Sequence, residues 1–166
     1  MAGKPDFSHR SYEKELLDRD DIPFEDIRRN MLELDTINTL LGGHAITVKG
    51  MRELITGMQR GPRRISVCEI GCGGGDNLRV LSRRCRRWGI TVDAIGIDSN
   101  EHCVSVAQQQ WKEGEARWIH SDYQDVEFGD DRPDIIFRPC SATISVTNNW
   151  PACSGGWTAT LGRGGS

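Results

Sequence analysis

Residues 65–76 run Ile-Ser-Val-Cys-Glu-Ile-Gly-Cys-Gly-Gly-Gly-Asp, an apolar strand-like stretch that meets an acid and then four glycines within five positions. Neither a helix nor a strand continues through such a turn, because glycine is weak inside regular elements and admits positive φ at little steric cost. A strand that breaks there and then meets Asp76 and Asn77, residue types able to cap a helix, reads as the first strand-turn-helix unit of an α/β sheet. The missing side chains also let the backbone approach a ligand closely. Dinucleotide loops favour G-x-G-x-x-G; here the glycines fall as G-x-G-G-G, with Asp76 where the last glycine would stand and Glu69 two positions before the first. Taken alone, the loop is only moderately specific, since a structural turn or another nucleotide site can carry the same pattern.

A chain of 166 residues can bury a single hydrophobic core. Its net charge of -3 creates no basic field, so small molecules or proteins are expected as partners rather than nucleic acid or a membrane. Arg83, Arg84, Arg86 and Arg87 sit together on one predicted helix and read as its solvated face. No apolar stretch approaches the roughly 20 residues of a membrane span, and the Met-Ala-Gly-Lys-Pro-Asp start lacks a signal-peptide core, so the expectation is cytoplasmic. The six cysteines, at 68, 72, 85, 103, 140 and 153, form no C-x-x-C pair and no zinc-spaced cluster. They are read as reduced, mostly buried thiols, with no metal expected.

Upstream of the loop, Phe24, Ile27, Met31, Leu34, Ile37 and Leu41 recur at helical spacing, and Gly42-Gly43 supplies a stop. A second helix is expected from Thr47, with Val48, Met51, Leu54, Ile55 and Met58 inward, until Gly61-Pro62. From residue 65 onward the pattern alternates strand and helix, which predicts a parallel sheet covered on both faces. The expected strands are Ile65 to Ile70, Thr91 to Ile97, Ala116 to Ile119 and Asp134 to Phe137. The helix between the first two runs from about Asp76 to Trp88, with Leu78 and Leu81 inward. Val104, Ala107 and Trp111 mark the next.

Two further acids lie at strand ends. Asp98 follows Gly75 by 23 positions, close to the interval at which a carboxylate meets a ribose in doubly wound folds. The competing role is a helix cap, which Ser99 and Asn100 could fill equally well. Asp122 follows the third strand in His-Ser-Asp-Tyr, which by itself is a turn sequence.

With these acids in order after Glu-x-Gly-x-Gly-x-Gly, residues 65–137 resemble the class I S-adenosylmethionine (SAM) dependent methyltransferases, in particular small-molecule methyltransferases of bacterial origin. The resemblance implies a Rossmann-like doubly wound α/β sheet with SAM as cofactor. By position, Glu69 would hold the methionyl amino group, while Gly71, Gly73 and Gly75, with Cys72 among them, pass close to the cofactor. Asp98, with Ser99 beside it, would take the ribose; Asp122 would take the adenine amino group, with Tyr123 near the ring. The acceptor would be a small organic molecule. No catalytic base is implied. An N-terminal extension in such enzymes covers the cofactor, which would place His44 over the site as acid, base or substrate contact; the alternative is a surface or helix-end histidine. Two other classes stay open: an NAD-type oxidoreductase, and a non-catalytic nucleoside- or partner-binding module.

The resemblance stops after Phe137, where a class I sheet of seven strands would continue. The expected layout is therefore a helical cap over 1–62, a cofactor-binding half over 63–138 with strands one to four, and an aberrant, disordered tail over 139–166. The codons for Cys140 to Trp157, read one base out of register, admit a loop followed by an amphipathic helix. That points to a frameshift near residues 137–140, to strand four left at an exposed edge, and to impaired turnover.

Overall fold

The computed structural model describes residues 22–58 and 63–139, together with the backbone of 143–146. Four parallel strands form its centre: β1 (Arg64–Ile70), β2 (Thr91–Asp98), β3 (Ala116–His120) and β4 (Ile135–Arg138). A fifth, β5 (Thr143–Val146), is antiparallel to β4, and the order across the sheet is β3-β2-β1-β4-β5. The Rossmann-like expectation holds, with β1 central and flanked by β2 and β4. Strand four is not an edge among the described residues, because Phe137 pairs with Ile144 and Arg138 with Thr143. The Thr-Ile-Ser-Val run alternates polar and apolar residues, three of the four β-branched, a strand signal too short to stand out from the irregular sequence around it. Otherwise, the aberrant tail and the frameshift fall outside the described residues.

Alternation along β1 decides where the core lies. Ile65 and Val67 face the helices α2 (Gly43–Gly57) and α3 (Asp76–Arg87), and pack with Met51, Ile55, Leu78, Leu81 and Cys85. Cys68 and Ile70 face the other way, against Ile95, Ile97 and Ile136, with Tyr123, Val126 and Phe128 at the rim. Glu69 shares the parity of Ile65 and Val67, so it points toward α3 rather than to solvent. Leu78 and Leu81 are buried as expected, and Arg83, Arg84, Arg86 and Arg87 are exposed.

The cap consists of α1 (Phe24–Leu41) and α2, joined through Gly42 at φ 79, a left-handed turn that ends one helix and begins the next with no loop between. The second helix thus starts four residues before Thr47, which puts His44 in its first turn. The inward stripe of α1 is shorter than its apolar spacing. Ile27 and Met31 are buried against Cys103 and Val106 of α4 (Glu101–Gln110). Leu34, Ile37 and Leu41, expected inward, are 39%, 48% and 81% exposed. Asp35 and Asn38 take the inward positions instead, because polar side chains of α3 meet them there.

Gly75 and Gly96 make room for one aromatic ring. A Cβ on Gly96 would lie 2.4 Å from the Trp118 ring and one on Gly75 2.6 Å from it. Trp118 stands edge-on to Trp111, with ring centroids 5.5 Å apart. This ring locks the glycine turn to β2 and β3.

Candidate cofactor site

The glycine turn is pinned to the end of β2 by three hydrogen bonds. Gly71 N–H and Cys72 N–H both donate to the Ile97 carbonyl, at 2.8 and 3.0 Å, and Gly73 N–H donates to Asp98 Oδ2 at 2.8 Å. Gly71, Gly73 and Gly75 all have positive φ, as the spacing requires. Their surroundings differ. Gly73 lies under Met31 of α1 and Gly75 under Trp118, whereas a Cβ on Gly71 would meet nothing within 4 Å. The open backbone is therefore at Gly71.

Asp98 is committed to the local frame. Its Oδ1 accepts from Asn100 N–H at 2.9 Å, while Asn100 itself caps α4 by accepting from His102 and Cys103. Ser121 N–H donates to the Asp98 carbonyl at 3.0 Å, which sets the turn after β3 against the end of β2. Ser99 is exposed, and its carbonyl accepts from His120 Nε2. Asp122 is exposed and caps a short 3-10 turn by accepting from Gln124 N–H, while Tyr123 is half-buried with the Arg138 guanidinium 5.8 Å from its ring centroid. The ends of β1 and β2 and the glycine turn thus form one hydrogen-bonded unit, with Asp122 and Tyr123 at its border.

Cys72 is buried in the turn, and burial pushes its thiol above the ordinary range. Desolvation likewise pushes Cys68 up to about 12. Cys68, Cys72, Cys85 and Cys103 are buried thiols, as the spacing suggested; Cys140 and Cys153 lie outside the described residues.

Glu69 is 1% exposed. Its Oε1 accepts from Asn77 Nδ2 at 3.1 Å, while Oε2 has no hydrogen-bond partner among the described residues. Burial holds this carboxyl well above the usual carboxylate range; the nearby Asp76 raises it further, and hydrogen bonding from the Asn77 side chain and the Leu78 backbone opposes both. A buried oxygen with unmet lone pairs costs about 1–3 kcal/mol, a cost that a cationic ligand group would remove. That orphan oxygen, together with the open backbone at Gly71, fits a ligand carrying an ammonium group and a nucleoside.

Neither Asp76 nor Asn77 caps α3, which has no side-chain cap bond. Both turn inward instead. Asn77 lies between Glu69 and His44, whose Nδ1 is 2.7 Å from Asn77 Oδ1. Asp76 Oδ2 lies 3.5 Å from His44 Nε2 and accepts from Asn38 Nδ2. His44 stands at a helix end, in the first turn of α2, but is not a surface residue; it is 6% exposed behind the glycine turn. Asn77, Asp35 and Asn38 carried no signal in local spacing, since their partners are distant in sequence or across the turn.

Residues 67–165 match the family model for a methyltransferase domain. No curated protein matches the sequence. Among solved structures, the plantazolicin methyltransferase BpumL in complex with SAH is 24% identical, with a TM-score of 0.50 over 72% of this chain and 42% of that one. The same enzyme with a triazolic desmethylPZN analog and SAH is 19% identical, with a TM-score of 0.50, covering 68% and 46%. A Methanococcus maripaludis protein assigned as an S-adenosyl-L-methionine-dependent methyltransferase is 14% identical, with a TM-score of 0.52, covering 78% and 53%. The chain thus spans roughly half, or less, of the length of these relatives, and at such identities the likeness is one of fold. With the family model covering more than half of its residues, the chain belongs to the methyltransferase domain family, the class I SAM-dependent group that its glycine loop resembles.

Proposed function

We propose that this chain binds SAM at the ends of β1 and β2 and serves transfer of its methyl group to a small organic acceptor. The observation that carries the reading is Glu69, a buried carboxyl with one oxygen unpartnered beside a glycine turn. Glu69 would accept from the methionyl ammonium, Gly71 would pass beside the cofactor, Asp98 and Ser99 would meet the ribose, and Asp122 with Tyr123 would border the adenine. Cys72, Gly73 and Gly75 shape the turn. When bound, the cofactor supplies an activated methyl on a sulfonium, so no strong base is demanded of the protein. What the protein contributes is alignment and the exclusion of water. Met31 over Gly73 supports a shielding role for α1.

A small acceptor is supported by the fold relative held with a triazolic desmethylPZN analog. We assign residues 1–62 as a cap and 63–138 as the cofactor-binding unit, with Thr143–Val146 added to its sheet. Titration calorimetry tests the cofactor assignment. SAM and SAH are expected to bind one per chain, and Asp98→Ala, which frees the Gly73 N–H, to bind at least about tenfold more weakly. Folded protein that takes up neither ligand would overturn the assignment.

A further inference from the structure

We propose that His44 is a positioning residue for the cofactor site: from the cap it holds Asn77, and through Asn77 it fixes the direction of Glu69. The inference rests on the role given to Glu69 above and adds to it a coupling between cap and cofactor.

The hydrogens follow from the partners. Asn77 donates from Nδ2 to Glu69 Oε1, so the atom it presents to His44 is Oδ1, an acceptor. His44 Nδ1 must then carry a hydrogen and donate across 2.7 Å. His44 Nε2 faces two carboxylate oxygens, Asp35 Oδ1 at 3.2 Å and Asp76 Oδ2 at 3.5 Å. Those two contacts hold the Nε2 edge of the ring between α1 and α3, where Arg79 of α3 also binds Asp35 at 2.5 Å. On its other side the line His44, Asn77, Glu69 is directional, and rotating the Asn77 amide would break both of its bonds at once. Glu69 Oε1 is therefore held, and Oε2 remains as the oxygen available to a ligand.

Two isosteres separate the two ring nitrogens. Asparagine places an amide nitrogen near the position of Nδ1, and glutamine places one near that of Nε2. His44→Asn is expected to keep SAH affinity within about threefold of wild type, because Asn77 still receives its hydrogen. His44→Gln retains the Asp35 and Asp76 contacts yet leaves Asn77 Oδ1 unmet, so SAH should bind about tenfold more weakly. Asn77→Asp, which turns an oxygen toward Glu69, should weaken it at least as much. Melting temperatures measured alongside should not follow this order, since His44→Gln keeps the charged contacts and His44→Asn loses them. His44→Gln protein binding SAH like wild type, or affinity losses that simply track melting temperature, would overturn the proposal while leaving the cofactor assignment intact. Wild-type protein that binds no SAH overturns both. A rise in melting temperature with zinc or manganese alone, abolished by His44→Asn, would show Nε2 to be a bare metal ligand and would also overturn it.

Discussion

Burial of a carboxyl group with 1% of its surface exposed and one oxygen unpartnered raises its pKa above that of a surface glutamate. Glu69 therefore binds a proton in the folded chain over a range where the unfolded chain has released it. The sign follows from linkage: with the folded value above the ordinary 4.5, stability without ligand falls as pH rises from that value toward the folded one. Each unit of separation is worth about 1.4 kcal/mol. Urea unfolding between pH 5 and 8 should show this decline in wild type and a flatter profile in Glu69→Gln, whose side chain does not titrate. The same variant should lose SAH affinity. Equal pH slopes for the two proteins would mean that Glu69 is ionised within the fold. Asp98 contrasts with it, since its two carboxylate oxygens already accept from the Gly73 and Asn100 N–H groups.

Between strands and helices, what holds the glycine turn in place is an aromatic ring as much as backbone hydrogen bonding. Gly96 faces Trp118 directly across the β2–β3 register, and a methyl there would overlap the ring. Gly96→Ala should destabilise by about 1–3 kcal/mol, and much of that loss should be recovered in the Gly96→Ala, Trp118→Leu pair. Additive losses in a denaturation cycle would place the strain elsewhere. Elements of this kind were only partly legible in the sequence. The four parallel strands and α3 stood out because apolar runs closed by acids or glycines have few other readings. The start of α2 did not, since Gly42-Gly43 looks like a break and is instead one left-handed residue between two helices. The α1 stripe misled for a different reason. Leu34, Ile37 and Leu41 have core spacing, but the face that docks is set by Asp35 and Asn38 meeting Asp76 and Arg79, a choice that only tertiary contact makes. Of the candidate site, the positive-φ glycines were legible from their spacing. His44 was placed near it only through the resemblance and Asn77 was read as a helix cap, because the contacts that join them to each other and to Glu69 are tertiary.

Taken as a whole, the molecule places a helical cap against one face of a sheet whose central strand ends in the site. The cap touches the turn twice, through Met31 above Gly73 and Gly74 and through His44 behind Asn77. Ligand binding at the turn should thus be felt by both layers. No helix among the described residues is long and apolar enough to cross a membrane, so Leu40, Leu41 and Ile46 form an apolar corner rather than a span. The central claim is that Glu69, held above the usual carboxylate range by burial, is drawn toward its charged form when it meets a cationic ammonium group. Proton release accompanying SAH binding tests it most directly, measured by calorimetry from pH 5 to pH 8 in two buffers of different ionisation heat. The account predicts saturable binding with proton release somewhere in that range in wild type and none from this group in any residual binding by Glu69→Gln. Tight binding with no proton released, or no binding by folded protein, would contradict it.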